Sequence, residues 1–376
     1  MWDLVVVGAG PAGAAAALSA LQLRPDARVL LLDRAAFPRD KSCGDGIAPH
    51  AVDELRRLGV DDVLTDRVPV HRLRLRTSRG TEVSRPLRRP DHVVPREVFD
   101  ARLVERAVAR GAVLAQHTVR RLEVRHDAVV LDREVGGRVV VGADGANGVV
   151  RRLIGAPRQP AGATAVAVRG YADAPPGEPE QLILVDEEDW PSYAWSFPDG
   201  TGRANVGYGM LLPALRAKDA GGREVLHGRL AELLPDTAPE RLVSHHLPLT
   251  TSRPRQPDGR VLLAGDAMSL INPLTGEGIY YALLSGRLAG AAALAGAGAG
   301  ALHRADLRRA LGTHLRHTSA LARLTQHRGV VDAGVAAAAR SRRAFDAFVE
   351  LGLGRGLVTP ALLGALAAEL GRRALR

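Results

Sequence analysis

The chain opens on a continuous apolar run, Asp3 to Gly8, of the kind buried on both faces of a parallel sheet. A glycine-rich turn follows. The Ala/Leu-rich stretch from Pro11 to Leu23 then predicts a helix, and a second apolar run, Arg28 to Leu32, ends in Asp33. This is a strand–helix–strand unit. Further on, Phe99, Leu103 and Ala107 recur every fourth residue, so a helix is expected to begin around Pro95 and Glu97 and to stop at Gly111. Strand-like segments return at Arg138 to Val141 and Val261 to Ala264, each running into a Gly/Asp turn. One sheet is therefore expected to be assembled from distant pieces of chain.

Between these pieces lie segments of different texture. Leu73 to Leu87, Ala165 to Tyr171, Gln181 to Val185, Tyr193 to Phe197 and Arg203 to Met210 read as antiparallel strands joined by Pro/Gly/Asp turns, and predict a second domain. After Gly286 the pattern turns helical, with an Ala/Gly stretch from Ala291 to Ala301 and a last apolar run from Leu357 to Leu370.

With 376 residues, 46% of them hydrophobic, the chain is long enough for two packed lobes with a substantial core. Its 51 basic and 41 acidic residues leave a net charge of +10, which raises nucleic acid or an anionic membrane as partners. All the basic residues except Lys41 and Lys218 are arginines, scattered through a chain crowded with Ala and Gly, as in a GC-rich genome. No nucleic-acid partner is expected. Cys43 is the only cysteine, which excludes an intramolecular disulfide and a Cys-rich metal site and fits a reducing cytoplasm; no metal is expected. Met1 leads straight into the strand pattern with no charged leader, so secretion is not expected. No stretch reaches the roughly 18 apolar residues that span a bilayer.

Gly8-Ala9-Gly10-Pro11-Ala12-Gly13 fits G-x-G-x-x-G after a strand and at the opening of a helix. The first glycine permits the turn, the second lets the backbone approach a pyrophosphate, and the third lets helix and strand pack closely. Asp33 stands at the end of the next strand, where a carboxylate accepts from ribose hydroxyls. This fingerprint alone leaves FAD and NAD open. Two later motifs separate them. Val141-Gly142-Ala143-Asp144-Gly145-Ala146-Asn147 and Leu263-Ala264-Gly265-Asp266 each place an acid beyond a strand, and the second is followed by Asn272-Pro273-Leu274-Thr275-Gly276-Glu277-Gly278-Ile279 entering a helix. Free amides at that helix N-terminus suit the pyrimidine edge of a reduced flavin, and Asp266 could hold the ribityl chain. Ordinary loop aspartates and cap glycines would explain either motif alone, but much less well all of them in this order.

Taken with Lys41-Ser42-Cys43-Gly44-Asp45-Gly46, Pro95-Arg96-Glu97-Val98-Phe99-Asp100, Tyr193-Ala194-Trp195-Ser196-Phe197-Pro198 and Pro273 to Ala282, these words resemble the para-hydroxybenzoate hydroxylase type of FAD-dependent enzyme, and within it the geranylgeranyl reductase family with its bacterial menaquinone reductases. The resemblance covers about the first three quarters of the chain. It implies an α/β fold in three parts. Residues 1–70, 92–158 and 256–290 would form a discontinuous Rossmann-type (GR2, para-hydroxybenzoate hydroxylase-like) FAD-binding domain, residues 71–91 and 159–255 an antiparallel-sheet substrate domain, and residues 291–376 a helical C-terminal region. It further implies non-covalent FAD. Gly8, Gly10, Gly13 and Asp33 would hold its adenosine-diphosphate half, Arg96 its phosphates, and Asp266, Gly276, Gly278 and Ile279 the ribityl and isoalloxazine, with Arg34, Gly44 and Asp144 completing the set. Cys43, Asp45 and Glu277 become the catalytic candidates. Cys43 could equally be a small wall beside the flavin, and a salt bridge within the loop would also explain Lys41 and Asp45.

Tyr193, Trp195 and Phe197 alternate along a strand, so they share one face, either of a pocket for an apolar or aromatic substrate or of a plain domain core. His245 and His246 have no carboxylate or cysteine at ligand spacing and read as surface or core. Reduction of a C=C bond in an isoprenoid-type compound is the expected reaction. Hydroxylases of the superfamily more often carry glutamine where Glu277 stands. The alternative is monooxygenation of an aromatic, indole or terpenoid natural-product intermediate; a non-catalytic flavin module would leave the second domain without a purpose. The W-x-W-x-I-P word of tryptophan halogenases is absent. No second G-x-G-x-x-G in strand–helix context appears, so NAD(P)H would visit transiently or a separate reductase would supply electrons. For the tail after Leu357, with Arg355, Arg372, Arg373 and Arg376, packing on the substrate domain is the expectation, and peripheral contact with the inner face of a membrane the alternative.

Overall fold

In the opening strand, Trp2–Val7, Leu4 to Val7 are all buried, because strands flank it on both sides. The computed structural model describes residues 1–374. Trp2–Val7 pairs in parallel with Val29–Asp33 and with Val135–Gly142; Val113–Gln116 extends the sheet at one end, and Val261–Leu263 pairs with the end of Val135–Gly142. The short strands Leu122–Val124 and Val129–Leu131 complete it in antiparallel sense. The parallel strands align their C-terminal ends, where the glycine turn and the Gly142 and Ala264 turns meet.

Helix Pro11–Leu23 is buried from Pro11 to Leu21, since it lies between this sheet and helix Ile279–Ala293. Alanines and glycines make that crossing close: a Cβ on Gly286 or Gly290 would sit 2.0 Å from the carbonyl oxygen of Ala12 or Ala16.

The second sheet runs Glu240–Pro248, Thr164–Asp173, Arg203–Leu211, Ser192–Pro198, Glu180–Asp186, Pro69–Thr77, Glu82–Val93 and Gly46–Ile47. It corrects the expectation of a wholly antiparallel sheet at one place: Glu180–Asp186 runs parallel to Pro69–Thr77. The chain leaves for the first sheet between these two strands, and such a long excursion lets it return in the same direction. The segment Leu73 to Leu87 falls on a hairpin of two strands, with Leu75 opposite Val83.

Helices Ala299–Leu324, Arg328–Arg340, Arg342–Leu353 and Pro360–Ala374 finish the chain. Pro360 starts the last helix rather than breaking it, since the first position needs no amide hydrogen. That helix buries Leu362 and Leu366 and packs on Arg328–Arg340, which in turn lies on the Glu82–Val93 strand. Arg373 pairs with Asp332 and Arg372 with Glu369, so these two arginines of the tail are engaged within the fold; Arg376 lies outside the described residues. No helix among the described residues is long and apolar enough to cross a membrane.

Candidate functional site

At the glycine turn the three glycines have different reasons. Gly8 has φ +99° and a Cβ there would lie 2.4 Å from the Ala143 carbonyl oxygen; a Cβ on Gly13 would lie 1.8 Å from the Gly8 carbonyl oxygen. The protein itself demands both. Around Gly10 the nearest atoms to a Cβ are the Arg39 guanidinium at 3.4 Å, that of Arg96 at 3.8 Å and the Asp100 carboxylate at 3.8 Å, and no side chain caps the helix that starts there. Open space beside an uncapped helix N-terminus and two guanidinium groups fits a diphosphate. Asp33, next to it, accepts from the amides of Ala9 at 2.9 Å and Ala35 at 3.0 Å.

Three further candidates surround the turn. Arg96, buried at 3% exposure, grips Asp100 with two hydrogen bonds of 2.6 and 2.7 Å, so within the protein its partner is the carboxylate one helical turn on; Arg39 shares Asp100 at 3.2 Å and carried no sequence signal. Asp144 accepts with Oδ2 from the amides of Val149 at 2.5 Å and Val150 at 3.0 Å, at the start of the short helix Val150–Leu153, while its Oδ1 is buried without a partner among the described residues. Arg34 is exposed, and its charge acts on Asp144.

From Arg96 and Pro11 a cavity of about 600 Å³ runs between the two sheets to the C-terminal helices. Cys43, Gly44, Asp45 and Gly46 form one wall, Gly276 to Ile279 with Asp266 another, and Tyr193, Trp195 and Phe197 a third. The aromatic rings follow one another at centroid distances of 5.9 and 6.4 Å. They line the cavity as well as contributing to the sheet. Its far end is closed by Leu321, Val335, Phe348 and Leu366, from a region that the sequence marked only as helical.

Hydrogen bonds tie these walls together. Trp195 Nε1 donates to Asn205 Oδ1 at 2.8 Å, while Asn205 Nδ2 donates to the Cys43 carbonyl and to Asp45 Oδ2, both at 2.8 Å. The Tyr193 hydroxyl donates to the Thr275 carbonyl, joining the aromatic face to the Gly276 turn. Lys41 and Asp45 do not pair with each other, so the alternative of a salt bridge within their loop falls away. Asp45, at φ +60° and fully buried, turns inward to accept from Tyr171 at 2.5 Å as well as from Asn205, and burial lifts its pKa to about 6 against the pull of Tyr171 and Arg169. Lys41 instead reaches Asp266 at 2.9 Å; burial works against the Asp266 charge, but Lys41 outweighs it and holds that carboxyl below its ordinary range. Burial also pushes the Cys43 thiol up, which keeps it protonated.

The amides at the start of helix Ile279–Ala293 include two that Glu277 engages. Glu277 folds back onto them, accepting from Tyr280 at 2.8 Å, and burial raises its pKa to about 7 despite those bonds. Two more residues line the cavity: His245, which the sequence places only at the surface or in the core, and Asp91, which it does not single out. His245 lines the wall beside Lys41 and Asp266, with burial pushing its pKa down to about 4, and Asp91 lies in the wall at 2% exposure.

A Rossmann-type sheet with an open diphosphate cradle, joined through a walled cavity to a second sheet, defines the FAD-dependent oxidoreductases of the para-hydroxybenzoate hydroxylase fold. Residues 1–213 match the family described as FAD binding domain. Over 311 residues, 76% of this chain and 75% of the relative, the sequence is 38% identical to the menaquinone reductase of Mycolicibacterium smegmatis. It is 32% identical to digeranylgeranylglycerophospholipid reductase 2 of Methanopyrus kandleri, covering 77% of this chain and 76% of that one. The chain belongs to the geranylgeranyl reductase family of FAD-dependent oxidoreductases. Its fold is shared with a geranylgeranyl bacteriochlorophyll reductase-like protein of Thermoplasma acidophilum, at TM-score 0.81 and 18% identity over 100% of this chain and 98% of that one. A flavin-dependent brominase, at TM-score 0.71 and 17% identity over 99% of each chain, has the same fold.

Proposed function

We propose that this enzyme reduces a C=C bond in a long isoprenoid-type substrate, such as the prenyl chain of a quinone or lipid. The observation that carries the reading is the cavity itself, which continues from the Arg96 and Asp266 end, past the Tyr193, Trp195 and Phe197 face, to the leucine- and valine-lined space under the C-terminal helices. A volume of about 600 Å³ is of the size that encloses an extended apolar ligand. Gly8, Gly10, Gly13, Asp33 and Arg96 would hold the adenosine-diphosphate half of FAD, and Asp266, Gly276, Gly278 and Ile279 the flavin half. Bound and reduced, FAD supplies a hydride to one carbon of the double bond. The chain's own contribution is to exclude water with the aromatic face, to align the prenyl chain along the cavity, and to hold a proton for the other carbon on an acid of the cavity wall.

The test is to reduce the enzyme-bound flavin without oxygen and add menaquinone or geranylgeranyl diphosphate. Reoxidation of the flavin by the prenyl compound, with a product two mass units heavier, supports the reading. Flavin that stays reduced until air is admitted, with labelled oxygen appearing in the product, overturns it in favour of monooxygenation.

A further inference from the structure

Asp91 belongs to no motif, yet it lines the cavity beside the Cys43–Gly46 wall. It lies near the end of strand Glu82–Val93, whose next two residues, His92 and Val93, pair with Ile47 and Gly46, directly after the Cys43–Asp45 loop. The carboxyl is therefore carried on a sheet strand and not on a loop tip. It lines the cavity, is 2% exposed, and its Oδ1 has no hydrogen-bond partner among the described residues. Gln181, from strand Glu180–Asp186 two places along the sheet, hydrogen-bonds the carboxyl, and the Glu277 carboxyl is near enough to oppose a second negative charge. The nearest cation on its own strand, Arg89, is committed elsewhere: it reaches both oxygens of Asp53, at 2.9 and 2.6 Å, and the Pro49 carbonyl at 2.9 Å.

Each neighbour matters to the proton. A buried carboxylate without a direct counter-ion is strongly disfavoured, and burial together with Glu277 pushes Asp91 well above the usual carboxylate range, against the weaker pull of Gln181 and Arg89. Buried polar atoms without a protein partner are rare, and an oxygen left so at the wall of a cavity is where a ligand or water belongs. The other acids around the cavity are less suited. Asp45 also leaves its Oδ1 without a partner, but its Oδ2 accepts from both Tyr171 and Asn205, Arg169 acts on it and its pKa is about 6, so its charged form is supported; the Tyr193 hydroxyl is held by the Thr275 carbonyl.

We propose that Asp91 is the proton donor of this cavity, handing the proton on its unpartnered oxygen to the substrate carbon that does not receive the hydride, with Glu277 passing a replacement proton from solvent. This rests on the reductase reading above. The balance is simple. One carbon gains the hydride and its electron pair, the π pair of the double bond forms the new C–H bond at the other carbon with the proton from Asp91, and Asp91 is left as a carboxylate. Glu277, whose charge acts on Asp91 and whose pKa of about 7 leaves it partly protonated at neutral pH, returns the proton.

The experiment uses FAD-loaded enzyme and whichever of menaquinone and geranylgeranyl diphosphate the wild type reduces. Asp91→Asn should bind FAD and substrate with affinities within a few-fold of wild type, while kcat falls by about 10²- to 10⁴-fold, the usual contribution of a positioned acid. Infrared spectra at neutral pH should show a protonated-carboxyl band, shifted in D₂O, that persists in Glu277→Gln and disappears in Asp91→Asn. A wild-type kcat in Asp91→Asn overturns the proposal, as does a Glu277→Gln enzyme without the band. If Asp91→Asn does not fold, the band in Glu277→Gln decides alone. An enzyme that reduces neither prenyl compound contradicts the reductase reading, while the band still reports whether Asp91 holds a proton.

Discussion

Replacing Gly10 and Gly13 separately by alanine distinguishes a glycine that the cofactor requires from one that the protein requires. At Gly13 the new Cβ would meet the Gly8 carbonyl oxygen at 1.8 Å, so strand and helix must move apart by more than an ångström at the most buried point of the fold. Overpacking of this kind costs about 1–3 kcal/mol or more. At Gly10 nothing lies closer than 3.4 Å, and the residue has φ −70°, ordinary for any L-amino acid. There the lower entropy of the unfolded chain contributes about 0.4–1 kcal/mol of stability, and the weaker N-cap offsets much of it. FAD-free Gly10→Ala should therefore melt within a few degrees of wild type, whereas Gly13→Ala should melt far lower. Bound FAD changes the balance, because the methyl group would enter the space of the diphosphate. A cost of about 1.4–2.8 kcal/mol would weaken binding about 10- to 100-fold. Circular dichroism of the stripped proteins and fluorescence titration with FAD measure the two effects. Gly10→Ala that binds FAD as tightly as wild type would falsify the assignment of the diphosphate to this turn, and Gly10→Ala that fails to fold would show that the space is not open.

Other substitutions probe the walls of the cavity. In Gly207→Ala the Cβ would lie 2.2 Å from Trp195 Cζ2 and 2.4 Å from the Val168 carbonyl oxygen, so both the indole and the strand pairing must shift; a lower melting temperature and a shift in tryptophan emission of the folded protein are expected, and unchanged emission would contradict the packing. Lys41→Met strips Asp266 of its partner at 2.9 Å and should destabilise the protein by about 2 kcal/mol at pH 7. Because Asp266 is depressed in the folded state, this difference should vanish as the pH falls through its folded pKa; a pH-independent difference would mean that the lysine acts by packing alone. Glu277 has the opposite sign. Its folded pKa of about 7 exceeds the ordinary 4.5, so wild-type stability declines as pH rises between those values, and Glu277→Gln should gain relative stability across that window, by about 3 kcal/mol at most, as read from melting temperatures at pH 5 and 8.

What the sequence determined by itself was local. The Gly8 to Gly13 turn, helix Pro11–Leu23 and Asp33 at the end of its strand are legible because strand, turn and helix are contiguous, with the positive φ of Gly8 and the close approach of Gly13 to the Gly8 carbonyl both set inside that unit. The alternation of Tyr193, Trp195 and Phe197 likewise put three rings on one face, since a strand's period is two. Tertiary structure decided what those rings face and which acids join them. Asp45 meets Asn205, Lys41 meets Asp266, and Asp91 comes up beside Gln181, each across 90 or more residues of chain. No periodicity records such meetings, because they follow from the packing of two sheets. The same packing sets the charge of each acid: burial raises Asp45, Asp91 and Glu277, and the lysine from the neighbouring loop depresses Asp266, although in the sequence all four are ordinary carboxylates.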